Sequence, residues 1–400
     1  MKHNTSRAFN PTRRCLLQLG AGLAAIHAVS PVLAWADSTP KARRKTVILV
    51  QLQGGNDGLN TLIPYRQDSY YALRPTLHIN KEQQLTLGDE LAFHPSLQAL
   101  MPSWEAGQLA LLQNVGYPSP ILSHFRSIEI WETASASDQY LKSGWLDPVL
   151  PHMANRLPCD AIVLGGALGP LNGTRGRVLA LDGNLDQFLK RQHVFNMQYG
   201  QQSSGEQQAI VRLQQQVNQG VAWLNKLHDS EQPVKTTFPR YPFGTQASNV
   251  ARLMGMGAEL PVYKLALGSF DTHRGQANTH AQLLKVFAES MSALRIALID
   301  SGHWDNTLVM TFSEFGRRPK ENGSGGTDHG TGAPVFVMGG KVKGGVYGDT
   351  FDLSQLTDND NMTYGLDFHS LYQSVVSEVW QLDYALPGKP APLPFKLLTA

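Results

Sequence analysis

Two short, largely apolar runs, Val262–Leu267 and Thr307–Phe312, constrain the fold of this 400-residue chain more than any other feature. Neither alternates as a half-solvated strand does. Each therefore reads as a strand buried on both faces of a parallel sheet. Each also ends in charge. The first passes through Ser269 into Asp271-Thr272-His273. The second stops at Glu314, and a Gly-rich stretch, Gly323-Ser324-Gly325-Gly326, then leads to Asp328-His329-Gly330. Thr46–Leu52 (TVILVQL) repeats the pattern and leaves through Gln53-Gly54-Gly55-Asn56-Asp57. The ends of parallel strands gather along one edge, and open α/β sheets place their ligands there.

The remaining segments alternate in type. Leu109–Asn114, Ala161–Leu164 and Pro334–Met338 read as strands, and Leu97–Ala106, Ser123–Thr133 and Phe368–Val379 as helices. Thr279–Leu298 is the clearest amphipathic helix, with Leu283, Phe287, Met291, Leu294 and Leu298 on one stripe. This order predicts an α/β fold: a mostly parallel sheet with helices on both faces, in a single domain over 46–400. The segment 262–312 is a crossover unit of the usual right hand. Residues 185–230 are Gln-rich and helical in spacing. They fit a helical insertion or cap over the sheet, and equally a crossover helix with a long polar loop.

Residues 1–36 carry Arg13-Arg14 ahead of a mildly apolar run and end in Ala34-Trp35-Ala36. This predicts a twin-arginine signal peptide, with 37–45 as a linker. It implies passage through the twin-arginine translocase and a periplasmic or secreted destination. Gln18, two glycines and His27 interrupt the apolar run, so no stable membrane anchor is expected. The segment holds four of the 34 Lys and Arg residues and no Asp or Glu. The rest of the chain is therefore slightly acidic, which argues against nucleic acid as a partner. Of the two cysteines, Cys15 lies in the signal and Cys159 is left without an intrachain partner. Stability must come from a core rather than from disulfides.

Asp271 and His273 are ligand types that suit zinc, manganese or iron. His280 could join them or serve the following helix. Glu314 ends a strand too apolar to lie in solvent, so it needs a metal, Arg317 or Arg318 as partner. Asp57 has the same status at the end of the first strand. Ser123 before His124 fits two roles: a helix N-cap, or a hydroxyl nucleophile beside free backbone N–H groups. Neither a Gly-x-Ser-x-Gly elbow, a Walker loop, a dinucleotide glycine fingerprint nor a His-Glu-x-x-His motif occurs.

Six motifs in order carry a resemblance: Gly54-Gly55-Asn56-Asp57-Gly58-Leu59-Asn60, Ser123-His124-Phe125, Gly144-Trp145-Leu146, Phe270-Asp271-Thr272-His273, Ser313-Glu314-Phe315-Gly316-Arg317 and Gly326-Thr327-Asp328-His329-Gly330. Over about residues 46–385 the chain resembles the bacterial domain-of-unknown-function 1501 family, which is in turn similar to the alkaline phosphatase and sulfatase superfamily. The resemblance implies an alkaline-phosphatase-like fold and a divalent metal such as zinc, calcium or manganese. It implies Ser123 as nucleophile, His124 or Arg126 as charge stabiliser, and Asp57, Asp271, His273, Glu314 and His329 as metal residues. The implied activity is hydrolysis of small phosphate or sulfate esters. Two departures stand out. Phe315 occupies the place of a superfamily histidine, and Asp271 and His273 are closer together than the superfamily pair. These departures favour the alternative, a non-catalytic binding or assembly protein. An oxidoreductase has no cofactor fingerprint behind it.

Overall fold

In the computed structural model the apolar runs form the strands they predict. The structure describes residues 45–153, 157–173, 175, 177–191, 205–349, 352–357 and 359–399. The expected signal peptide, residues 37–44 of the expected linker and residues 192–204 lie outside the described residues. The described residues belong to one compact unit. In chain order the first seven strands are β1 (Thr46–Leu52), β2 (Leu62–Ile63), β3 (Leu85–Thr86), β4 (Ala92–Phe93), β5 (Leu109–Gly116), β6 (Ala161–Val163) and β7 (Val178–Ala180). Then come β8 (Val262–Leu267), β9 (Thr307–Phe312), β10 (Gly316–Glu321), β11 (Thr327–Gly330), β12 (Ala333–Met338), β13 (Gly345–Tyr347) and β14 (Leu366–Asp367).

The main sheet runs β13-β5-β12-β9-β1-β8-β6-β7, with β14 also beside β5. Its pairs are parallel except those of β12, which is antiparallel to both β5 and β9. The exception has a physical cause. Between β9 and β12 the chain makes only the β10–β11 hairpin. A parallel return needs a long crossover, usually a helix. The Gly-rich stretch expected as a loop is the turn of this hairpin.

Both faces of β1 are covered. Ile48, Val50 and Leu52 pack into one core with Phe287, Met291, Leu294 and Leu298 of the helix Gln276–Asp300. Val47 and Leu49 pack into the other core, with Ile130 and Trp131 of the helix His124–Thr133 and Tyr372 of the C-terminal helix. Each such fully buried side chain contributes about 1.5–3 kcal/mol of transfer free energy. Between β7 and β8 lie the helices Leu185–Arg191, Gly205–His228 and Pro242–Gly255. Leu185, Val221 and Leu224 join the first core beside Leu179 of β7. These helices are thus part of the β7–β8 crossover, packed against the sheet's far edge. Cys159 is buried, and burial pushes its thiol up to about 12. Among the described residues no helix is long and apolar enough to cross a membrane.

Register sets the site. Leu52 pairs with Leu267 and Gln51 with Phe312, so the exits of β1, β8 and β9 emerge side by side.

Candidate metal centre

The three exits interlock through backbone. Gly54 has φ +115°, and a Cβ there would stand 2.4 Å from the Asp271 amide nitrogen. Only glycine allows this approach. The Gly54 N–H donates to Glu314 Oε1 at 2.8 Å, which holds the β9 exit against the β1 exit. The Phe270 N–H donates to Gln53 O at 3.0 Å and fixes the β8 exit. In the hairpin, Arg317 pairs with His329. At the hairpin turn a Cβ on Gly326 would meet the His273 backbone at 2.3 Å. Four strands and the helix His124–Thr133 therefore deliver side chains to one point.

At that point three imidazoles surround Asp271 Oδ1. His273 Nε2 lies 3.1 Å from it, His329 Nε2 3.3 Å and His124 Nε2 3.4 Å. His273 Nε2 and His329 Nε2 are 3.0 Å apart. The opposite ring nitrogens all face acceptors. His329 Nδ1 is 2.8 Å from the Leu122 carbonyl, His124 Nδ1 2.8 Å from Glu314 Oε1 and His273 Nδ1 3.1 Å from Asp328 Oδ1. Each Nδ1 thus has an acceptor for a proton, and a neutral ring protonated there would turn its Nε2 lone pair toward Asp271. In that arrangement three lone pairs and a carboxylate would face one another, and a cation among them would relieve the repulsion. The buried His124 Nε2 makes no hydrogen bond; its 3.4 Å approach to Asp271 is an electrostatic contact only.

A metal fits these donors. Bonds of about 2.0–2.1 Å at tetrahedral angles place neighbouring ligand atoms about 3.3 Å apart. The three separations from Asp271 Oδ1 and the His273–His329 separation, 3.0 to 3.4 Å, bracket that value. His124, Asp271 and His329 each offer one ligand atom within 4.8 Å of the others, and His273 adjoins them. The partners of the three Nδ1 atoms supply the outer hydrogen bonds that fix ligand tautomer and orientation.

Arg317 sets the electrostatics. Its guanidinium is fully buried and donates to Asp271 Oδ1 at 2.7 Å, to Gly55 O and Thr327 O at 2.8 Å each, and to Gly54 O. Burial raises the Asp271 carboxyl, but the Arg317 hydrogen bond and charge outweigh it and hold it at about 2. Burial lowers the His329 imidazole. Asp271 is 47% exposed and His273 41%, so the cluster opens to solvent on their side.

The residues expected from sequence separate into two groups. Asp271, His273 and His329 come together as expected. His124 joins them with its Nε2, while Glu314 stands behind His124. The alternative Glu314–Arg317 ion pair does not form, because the guanidinium goes to Asp271, and Glu314 Oε2 is buried without a partner. Asp57 stands apart. It is fully buried and both oxygens are taken, by Arg74 at 2.6 and 2.9 Å and by Gln276. Arg126 is also committed elsewhere. Its guanidinium donates to the carbonyls of Ala136, Ser137 and Gln139 and pairs with Glu129. His280 is buried against Asn56 at 2.9 Å, and burial lowers it to about 3. Ser123 occupies the N-cap position, yet its side chain makes no capping hydrogen bond and it is exposed. Phe315 lies against His124 and His329, with ring centroids at 4.8 and 4.4 Å. Asp328 is the site residue missed by the ligand assignment; its adjacency to His329 was the available signal.

No curated protein matches the chain. Among solved structures it is similar to the PsFucS1 sulfatase from Pseudoalteromonas sp., at 9% identity over 93% of this chain and 72% of that one, with TM-score 0.39. It is also similar to a protein in the alkaline phosphatase superfamily from Vibrio parahaemolyticus, at 10% identity over 76% and 62% of the two chains, with TM-score 0.34. A third likeness is to a mutant TAB5 alkaline phosphatase with magnesium bound, at 12% identity over 76% of this chain and 94% of that one, with TM-score 0.34. Residues 44–378 match the model of a protein family of unknown function, DUF1501, and the chain belongs to that family.

Proposed function

We propose that this chain is an exported, metal-dependent hydrolase of phosphate or sulfate esters. The observation that carries the proposal is the convergence of His124, His273 and His329 Nε2 on Asp271, each ring's Nδ1 facing an acceptor behind it. These four residues would hold the ion, and three imidazoles with one carboxylate favour zinc or another transition metal over calcium. When bound, the ion supplies a Lewis acid that offsets charge on the ester oxygens. Glu314, Asp328 and the Leu122 carbonyl keep the imidazole lone pairs aimed. Glu314 is thus an orienting residue in this reading, and Asp57 and Arg126 are structural.

Ser123 is the nucleophile in this proposal. Its hydroxyl is free because it does not cap the helix, and it lies between Leu122, which holds His329, and His124. The helix start carries a partial positive charge that favours an anion there. Oγ attacks phosphorus or sulfur and gives up its proton to solvent, a new O–P or O–S bond forms, and the bond to the leaving oxygen breaks, that oxygen taking a proton from water. Water then hydrolyses the enzyme ester and restores the serine.

Export rests on the Arg13-Arg14 signal and engages the twin-arginine translocase. Replacing both arginines by lysine should hold the protein in the cytoplasm; unchanged export would refute that part.

The test of function is metal analysis of the exported protein, with aryl phosphates and sulfates assayed beside Ser123→Ala. Activity that survives Ser123→Ala removes the nucleophile assignment. A second reading has one observation in its favour: Phe315 fills the space beside His124 and His329 with a ring that cannot ligate. On that reading the protein binds a metal without turnover, and it would show stoichiometric metal with no esterase activity.

A further inference from the structure

A buried polar network lies behind the metal centre without touching its ligands. Arg74 and Asp57 form a bidentate ion pair, both fully buried. Arg74 also donates from Nε to Pro319 O at 2.8 Å and from Nη2 to Arg318 O at 3.1 Å, both on β10. Gln276 opens the long helix Gln276–Asp300 and is fully buried. Its Nε2 donates to Asp57 Oδ2. Its Oε1 accepts from Thr327 Oγ1 at 2.6 Å on β11 and from Thr272 Oγ1 at 3.1 Å. Thr272 separates Asp271 from His273, and Thr327 precedes His329 by two residues.

We infer that Asp57, Arg74, Gln276 and Thr327 are positioning residues, which fix the β10–β11 hairpin and so place His329 and Arg317 against Asp271 and His273. The inference rests on the metal-centre reading above. The physical ground is the topology. β10 and β11 pair only with each other, in a two-stranded sheet off the main one. The main sheet's ladder therefore cannot set the hairpin's height above the strand exits. The network clamps both hairpin strands and the Asp271–His273 segment to one buried carboxylate. A buried ion pair is a poor source of stability but is well suited to fixing one arrangement. Ligand geometry tolerates little error, and loss of outer partners of a metal site weakens binding 10- to 100-fold.

The experiment titrates Zn²⁺ into the full chain against a chromogenic chelator. Thr327→Val and Gln276→Leu should weaken Zn²⁺ binding by about 10- to 100-fold, and Thr327→Ser, which keeps the hydroxyl, should restore it. Thr46→Val is the control. It removes an equally buried hydrogen bond, Thr46 Oγ1 to Leu260 O at 2.8 Å, at the opposite end of β1, and should leave Zn²⁺ affinity unchanged. Wild type that binds one zinc beside a Thr327→Val that binds it equally would overturn the inference alone. So would Thr46→Val weakening zinc as much as Thr327→Val. Wild type that binds no zinc would overturn both the inference and the reading beneath it.

Discussion

Two clusters in this molecule contain the same residue types and have opposite character. His124, Asp271 and His329 form one; Asp186, His228 and Glu231 form the other, at the helices of the β7–β8 crossover. In the second cluster Arg252 already supplies the cation. It donates to Glu231 Oε1 and Oε2 at 2.6 and 2.8 Å and to Asp186 Oδ1 at 2.6 Å. His228 Nε2 sits between the two carboxylates at 3.1 and 3.3 Å and can only donate. One guanidinium thus holds both carboxylates within the protein. In the first cluster each imidazole Nδ1 has an acceptor outside, in Glu314, Asp328 or Leu122, and a proton held there turns the Nε2 lone pair inward. Its one guanidinium, from Arg317, reaches a single carboxylate oxygen that three imidazoles share. Composition is the same in kind; what differs is that a guanidinium spans the carboxylates of the second cluster, while the imidazoles of the first have acceptors behind them.

The largest expected effect breaks that comparison if it fails. His329→Ala should lower Zn²⁺ affinity by more than about 100-fold, beyond the range for outer partners, while His228→Ala should leave metal content unchanged. Metal analysis after dialysis reads both, and equal loss from both variants would mean the clusters do not differ. A smaller effect tests the outward protons. Asp328→Asn keeps the shape but weakens the acceptor facing His273 Nδ1, so Zn²⁺ affinity should fall by about 10-fold, the lower end for such partners.

The contrast between the clusters also marks what the sequence could show. The positions of Asp271 and His273 were legible from the largely apolar run that precedes them, and that of His329 from the apolar run 334–338 that follows it. The mostly parallel sheet followed from the same runs. The hairpin was not legible: Gly316–Glu321 is rich in charge, and no apolar pattern marks it as a strand. Partner choice was the least legible. Asp57 and Glu314 both follow apolar strands, yet Asp57 is neutralised by Arg74, 17 residues on, and Glu314 is left to orient His124. Arg317 is three residues from Glu314 and pairs with Asp271 instead. Register across separate strands sets such pairings, and no local pattern encodes it.

Removing the built-in cation sharpens the comparison from the other side. Arg252→Ala leaves Asp186 and Glu231 uncompensated. Asp186 is 41% exposed, so solvent screening reduces the loss to about 1–2 kcal/mol, which urea unfolding would measure. Zinc bound at the first cluster should not change.

The smallest effect is a difference in pH slope. The Arg252 hydrogen bond, ahead of the opposing effect of burial, holds the Asp186 carboxyl below 3.8. A lowered carboxyl value means that the unfolded chain takes up its proton first as pH falls. The contribution of Asp186 is therefore fully present above about pH 4 and is lost as pH falls through its lower folded value. Wild type should lose this increment on acidification and Arg252→Ala should not, so their urea midpoints should converge below pH 4. Metal release from the first cluster should follow a different course. Asp271 remains ionised to about pH 2, so acid release there should involve protonation of His329, which burial holds below its ordinary 6.5. Metal that stayed bound down to about pH 2, where Asp271 alone remains ionised, would mean that the histidines do not hold the ion.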